Sequence, residues 1–429
     1  MRKKSNVALR STALILVAAM ILAACGDAEE DATSTTGGTD AADTTTGATG
    51  EPSGDCPVTV GISLPLTGDF SEPGNYVRQG YEVWAATVND GGGLLGCPVE
   101  LIFRDDASDP NTAVADYEQL ITVEEVDFIF GTYTSRLVIP TSEVAEENEM
   151  VYITPAGAAP DVFNRGLEYL FYAANAVATD QYRYLGEYIA ALPEGERPET
   201  AAYAGLDDPF AQATGLGFKD LLEAAGVETV FETVYPPDTT DFSTIAAQIA
   251  DADADLMVGS TIFEDSVGLV RALRELGYQP RMATFTVGPT LPQFPEAVGG
   301  AVDGVLSNVA WSTDSTFEGN QDFIADFEGL FGEPANEDAA KAFVVGQLIG
   351  SAAEAVGCAD STPECQAAVR DHIRSSENPT IIGPLTFDDA GRPQAADMIQ
   401  QWIDGEIEIV LPADTPAQTA ELVYPKPEW

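Results

Sequence analysis

The stretch "NDGGGLLGCPVELIFRDDASDPNTAV", residues 89–114, decides the fold. Gly91, Gly93 and Gly96 spell G-x-G-x-x-G, the spacing by which dinucleotide-binding enzymes bring a backbone close to a pyrophosphate. Such a loop must follow a strand and open a helix, so that the phosphates meet free amides at the helix N-terminus. Here the order is reversed. The preceding "NYVRQGYEVWAATVND" carries Val77, Tyr81, Trp84 and Val88 at helical spacing, and the following "PVELIFRDD" is an apolar strand. The glycines therefore end a helix and turn the chain into a strand. The segment in the correct place, "SLPLTGDFSEPG" after the first strand, lacks the three-glycine spacing. No nucleotide cofactor is expected.

Outward from this turn, strands and helices alternate. "VTVGISLP" precedes the helix at Val77, and after "PVELIFRDD" come the helix "NTAVADYEQLITVEE", the strand "VDFIFG", a helix around "IPTSEVAEENE" and the strand "MVYITPAG". A second series runs from "TAAYAGL" through "FAQATGLGFKDLLEAAG", "VETVFETVY", "FSTIAAQIADA", "DLMVGS", a helix ending at "RALRELG", and "RMATFTVG". The strand "DGVLSNVAW", three helical segments between about 316 and 376, and a strand-rich tail from "GPLTFDDAGRP" to "IQQWIDGEIEIVLP" complete the chain. Repeated β-α alternation predicts an α/β fold with two parallel sheets, each covered by helices on both faces.

A chain of 429 residues is long enough for two lobes. Its start has the form of a secretory signal peptide over residues 1–24: "MRKK" and Arg10 precede the 13-residue run "TALILVAAMILAA". That run is too short to span a bilayer, which needs about 20 residues. "LAAC" resembles a lipobox, which would make Cys25 the lipidated first residue of the mature protein. Residues 25–55 then read as an acidic Thr/Gly/Ala tether without aromatics, disordered by composition and spanning roughly 30 Å. The 70 acidic against 19 basic residues give a net charge of -51, which excludes nucleic acid as a partner and repels anionic membrane, leaving lipid on Cys25 as the membrane contact.

Beyond Cys25, the four cysteines Cys56, Cys97, Cys358 and Cys365 suit disulfides in an exported protein. "CPVTV" and "CPVEL" each place Cys-Pro-Val at the entrance of a strand, so parallel neighbours would bring Cys56 beside Cys97; Cys358 and Cys365 enclose a short turn. Neither pair has C-x-x-C spacing with histidine nearby, so no metal is expected. The single histidine, His372, lies in the charged helical stretch "AVRDHIRSS". Catalysis by Ser-His-Asp or Cys-His arrangements is correspondingly unexpected.

Several linked segments together resemble the substrate-binding proteins of branched-chain and related amino-acid ABC transporters: "VGISLPLTG", residues 89–114, "ITPAGAAP" with "NRG", "YPPDTTDFSTIAAQI", "RALRELG" and "IGPLTFDDAGR". The resemblance implies two doubly wound parallel-sheet lobes joined by a three-crossing hinge, with ligand in the cleft between them. It places the crossings near residues 175, 310 and 385, giving an N-lobe of 56–174 plus 311–384 and a C-lobe of 175–310 plus 385–429. It also maps a carboxylate cradle onto Ser135 in "GTYTSR", flanked by Thr134 and Arg136, and onto Ala156, Gly157 and Ala158 in "TPAGAAP".

Ser135 can donate a hydroxyl hydrogen bond to a ligand or simply cap the following helix. Arg136 can face a carboxylate or one of the chain's many surface acids. The position of the family's aromatic contact falls on Ile262, beside Phe263, and Thr286 stands where an acid would hold an ammonium group, which threonine has no charge to do. Phe70, Tyr133, Phe210 and Phe263 can wall an apolar pocket or belong to the core. The resemblance implies an extracytoplasmic, lipid-anchored, monomeric binding protein that delivers an amino acid or organic acid to an ABC permease and performs no chemistry. A sensor of the same fold and a secreted enzyme are the competing expectations.

Overall fold

The computed structural model describes residues 56–300, 302–414 and 417–429. The expected signal peptide, the lipidation site at Cys25 and the acidic tether lie outside the described residues.

The chain first lays down β1 (Val58–Leu64), α1 (Ser71–Asp90), β2 (Val99–Asp105), α2 (Pro110–Thr122), β3 (Phe128–Phe130), α3 (Ser135–Glu147), β4 (Tyr152–Thr154), α4 (Pro160–Phe163) and β5 (Leu170–Tyr172). These strands form a five-stranded sheet in the order β2-β1-β3-β4-β5, with every pairing parallel. The glycine-rich turn behaves as its position dictates: α1 stops at Asp90, and β2 starts eight residues beyond Gly91. Val58 pairs with Val99, so the residues two positions earlier share one sheet end, and Cys56 is bonded to Cys97. Cys358 is bonded to Cys365 across the turn that separates two helices.

The second series is α5 (Arg183–Ala191), β6 (Thr200–Leu206), α6 (Pro209–Ala224), β7 (Glu228–Tyr235), α7 (Ser243–Ala252), β8 (Leu256–Ser260), α8 (Phe263–Glu275), β9 (Met282–Phe285), α9 (Phe294–Val298) and β10 (Val305–Val309). The chain then returns to the first lobe as α10 (Asn320–Phe331), α11 (Glu337–Val356) and α12 (Pro363–Ser375), and ends in the second with the hairpin β11 (Met398–Ile403) and β12 (Glu406–Leu411). The second sheet has seven strands in the order β12-β11-β10-β9-β8-β6-β7. Only its last two strands pair antiparallel. Three connections pass between the lobes, in 173–182, 310–319 and 376–397.

Two local expectations differ from the structure. The third helix begins at Ser135 rather than near Ile139, which turns "GTYTSR" into a helix start. The tail from 384 to 397 holds isolated bridges, Asn378 with Leu385 and Phe387 with Pro393, instead of a strand. Pro384 and Pro393 remove amide donors there, so a continuous ladder cannot form.

The centre of the first lobe is α11. It is apolar on all sides and mostly buried, which is how a 20-residue helix long and apolar enough to cross a membrane comes to sit inside a protein core. Asn336 caps its start by accepting the Ala339 amide at 3.1 Å, and Gly357 ends it at φ 77°. Along its length it packs on α1 with almost no side chain between them: a Cβ on Gly80 would lie 2.1 Å from the Ala339 carbonyl oxygen. That close approach fixes where the first turn of α11 points.

Candidate functional site

Parallel sheets present their strand carboxyl ends and the following helix N-termini to one edge. In this chain those edges of the two sheets face each other across a small cavity of about 40 Å3. The first lobe lines it with Tyr133 and Thr134 after β3, Ala156 and Gly157 after β4, Tyr172 at the end of β5, and Glu337, Asp338 and Lys341 from the first turns of α11. The second lobe contributes Gln181, Phe210, Thr286, Val287, Thr290 and Asn308.

Thr134 takes φ 63° and ψ 148°, a conformation in which a β-branched residue is strained, and it precedes the first amides of α3. The first-turn amides of a helix have no acceptor within the helix. Gly157 sits at φ 102°, and a Cβ there would meet the buried Val138 at 2.9 Å, so no larger residue fits. Across the cleft, the Thr134 hydroxyl donates to Asp208 at 3.4 Å. Asp208 also caps α6 by accepting the amides of Phe210 and Ala211. Burial raises the Asp208 pKa, and those two amides pull it back down. At the rim, Tyr76 donates to Gln293 at 3.2 Å, and Gln293 donates to Glu72 at 2.6 Å, a second link between the lobes.

The floor is ionic. The Lys341 ammonium lies 3.3 Å from Asp338 and 3.6 Å from Glu337. Burial opposes its charge, but the two carboxylates more than offset this and raise its pKa. Burial raises the pKa of both carboxylates, against the pull of Lys341. Behind them, Asp397 accepts a hydrogen bond from Asn308 at 2.9 Å, and burial, followed by the charge of Glu337, pushes it up to about 7. One oxygen each of Asp338, Asp397 and Asn308 is buried without a hydrogen-bond partner. In a folded chain such atoms are costly, on the order of 1–3 kcal/mol each, unless something fills the space beside them.

Residues 57–406 match the family described as periplasmic binding protein. The chain belongs to this family. It is a family of extracytoplasmic solute-binding proteins. Curated relatives include Leu/Ile/Val-binding protein homolog 7 of Brucella melitensis biotype 1, 27% identical with 83% of this chain and 91% of the relative covered. Another is the Leu/Ile/Val-binding protein BraC3 of Rhizobium johnstonii, 26% identical over 82% and 93%. Among solved structures, the leucine-binding protein LivK of Thermotoga maritima superimposes with a TM-score of 0.72 at 18% identity, covering 84% of this chain and all of that one. A solute-binding protein of an ABC transporter from R. palustris, in complex with benzoate, gives 0.71 at 21% identity, covering 85% and 97%.

Of the residues singled out in the sequence of this periplasmic binding protein, Tyr133, Thr134, Ala156, Gly157, Phe210 and Thr286 line the narrow cavity together. Ser135 is fully buried behind it as the first residue of α3, and its hydroxyl accepts the Ala159 amide at 3.0 Å; it does not cap the helix. Ala158 is also fully buried, while Arg136 follows Ser135 within α3, and neither is among the lining residues. Ile262 and Phe263, with Phe70, line a separate and wider gap of about 510 Å3. The Thr286 hydroxyl is engaged within its own lobe, donating to the Thr261 carbonyl and accepting the Thr261 amide at 2.9 Å.

Sequence reasoning missed Gln181, Asn308 and the α11 cluster of Glu337, Asp338 and Lys341. One signal was available: "NEDAAKA" opens a helix that is otherwise apolar, with two acids and a lysine at i, i+3 and i+4 spacing. Charges at the start of a buried helix are either solvated at a cleft or paired inside it.

Proposed function

We propose that this protein is the solute-binding lipoprotein of an ABC importer, tethered through Cys25, which takes an amino acid or related small carboxylate into the inter-lobe cleft and delivers it to the permease. The observation that carries the reading is that both lobes contribute polar and aromatic groups to one cavity at their facing strand ends. A solute that touches both lobes favours the closed state over the open one, and that difference is what binding and release require. The carboxylate is received by the first amides of α3 and by the Ala156–Gly157 loop, with Ser135 holding that loop through the Ala159 amide. Phe210 and Thr286 close on it from the second lobe.

No chemistry on the solute is needed for this role. A thermal-shift screen of amino acids, aromatic acids and dicarboxylates on the purified chain tests it, because a ligand of the folded state must raise the melting temperature. A hit should be recovered unaltered after incubation and should be taken up by cells only when the protein is present. A converted solute, or uptake independent of the protein, overturns the reading.

A further inference from the structure

We propose that Asp397 is a proton latch at the hinge: a proton on its carboxyl holds the two lobes together, and loss of that proton drives them apart. This rests on lobe movement, which the proposed function also requires, and on no particular solute.

The chain path puts Asp397 where the lobes join. It is 2% exposed and ends the third connection between them, directly before β11. Asn308, in β10 just before the second connection, donates to it at 2.9 Å. The amide of Ala176, in the first connection, favours its ionised form. Ala310, in the second connection, is held from two sides: its carbonyl accepts from the Asn175 side chain at 2.9 Å, and its amide donates to Glu337 at 2.8 Å. Glu337 belongs to the first lobe through α11 and Asp397 to the second through β11. Two carboxylates of opposite lobes therefore act on each other where the chain crosses.

Hydrogen bonding marks a place for one proton. The second Asp397 oxygen and the Asn308 carbonyl oxygen are both buried without a partner. Two acceptors left over in one acid–amide pair are satisfied together by a proton taken from solvent. The carboxyl O–H then donates to the amide oxygen, while the amide N–H goes on donating to the other carboxyl oxygen.

Charge points the same way. An ionised Asp397 makes a third carboxylate beside Glu337 and Asp338, which already share Lys341, whereas a protonated one leaves two. Lys341 favours the ionised form, but burial and the charge of Glu337 outweigh it and push the pKa up to about 7. The other titratable groups facing Asp397 are the phenols of Tyr172 on β5 and Tyr182 in the first connection, both kept neutral by burial. When the lobes part, Glu337 leaves with α11 and water reaches the carboxyl, so the pKa falls back toward 3.8. The proton thus favours the closed arrangement most below about pH 4, and this contribution fades as pH rises through about 7.

Small-angle scattering of the purified, solute-free chain at pH 5 and pH 8 tests the latch. The wild-type chain should be more open at pH 8, its closing equilibrium weaker by tenfold or more. Asp397→Asn is neutral at every pH and offers Asn308 the same two bonds, so it should be as compact at pH 8 as at pH 5. Asp106 and Asp265, which burial also pushes up to about 7, still titrate in this variant. A variant that opens with pH as the wild type does therefore assigns the opening to other groups and overturns the inference, as does a wild-type chain equally compact at both pH values. In infrared spectra at pH 5, the wild type should show more protonated-carboxyl carbonyl signal than the variant, and identical spectra also overturn it. Should Asp397→Asn not fold, Glu337→Gln decides: removing the facing charge should move the midpoint of opening to lower pH, and an unmoved midpoint overturns the latch. Each of these failures leaves the solute-binding reading standing, because that reading is tested by the solute's own thermal shift.

Discussion

The narrow cavity around Thr134 and Asp338 and the wide gap around Phe70 and Ile262 both separate the two lobes, but their walls differ in chemistry. The wide gap, about 510 Å3, carries the acids Asp69, Glu72, Asp238 and Glu264 among apolar side chains, and no lysine or arginine. Its one buried acid, Asp265, is provided for: it accepts the Ile262 amide and the Tyr235 hydroxyl. The narrow cavity, about 40 Å3, holds buried ions with an oxygen left over. Acids facing water cost little, whereas buried and incompletely paired ions persist only where something offsets them. If the lobes close on a solute as proposed, the difference favours the narrow cavity for recognition and the wide gap as the space the lobes cross.

The largest effect should come from filling the narrow cavity. Gly157→Val forces a β-branched residue into φ 102° and against Val138. The expected cost is about 2–4 kcal/mol of stability, combined with loss of detectable solute binding. Scanning calorimetry and titration of the same preparation measure both. Wild-type affinity in this variant would move the binding site elsewhere.

Next is the ionic floor. Asp397 has a pKa raised by burial from 3.8 to about 7. Between those values the folded chain keeps a proton that the unfolded chain has lost. The group therefore favours folding most below about pH 4, and its contribution fades as pH rises through 7. Asp397→Asn removes that dependence. The melting temperature of the variant relative to wild type should rise from pH 5 to pH 8, by an amount reflecting on the order of 2–4 kcal/mol. A constant difference across that range would mean that Asp397 is ionised throughout. Glu264→Gln, at an exposed acid of the wide gap, is the matching control.

How much of this was legible beforehand follows the same division. The two sheets, the helix-to-strand turn at Gly91–Gly96 and the Cys56–Cys97 bridge all followed from local pattern, because strand order and parallel pairing leave those residues few alternatives. Thr134, Ala156 and Gly157 came from the family resemblance rather than from local pattern; the structure sets them after β3 and β4 at the narrow cavity. Glu337, Asp338 and Lys341 came from neither. They lie some 180 residues further along, at a helix start that reads like any capped helix until the contact of Gly80 with Ala339 brings it to the cleft. Ile262, where the resemblance put the family's aromatic ligand contact, lines the wide gap and not the narrow cavity.

A smaller effect belongs to the rim that joins the two regions. Gln293 accepts from Tyr76 and donates to Glu72 only while the lobes are together. Gln293→Ala should weaken solute binding about three- to tenfold, the worth of one or two hydrogen bonds at about 0.5–1.5 kcal/mol each, without lowering the melting temperature of the ligand-free chain. Small-angle scattering should show the ligand-free variant more open than wild type. An unchanged affinity would mean that closure does not depend on this link.

The smallest effect is the most discriminating. Ile262 is half-buried, lines the wide gap and packs against the edges of both cores without reaching the narrow cavity. If recognition is confined to the narrow cavity, Ile262→Ala removes an apolar contact between the lobes but none with the solute, so affinity should fall by no more than about threefold while stability falls by about 1 kcal/mol. A tenfold loss of affinity would mean that the solute's side chain extends past Phe210 into the wide gap. The two spaces would then be one site, with an ionic end at Asp338 and an apolar end at Ile262, and a large amino acid would bind more tightly than a small one.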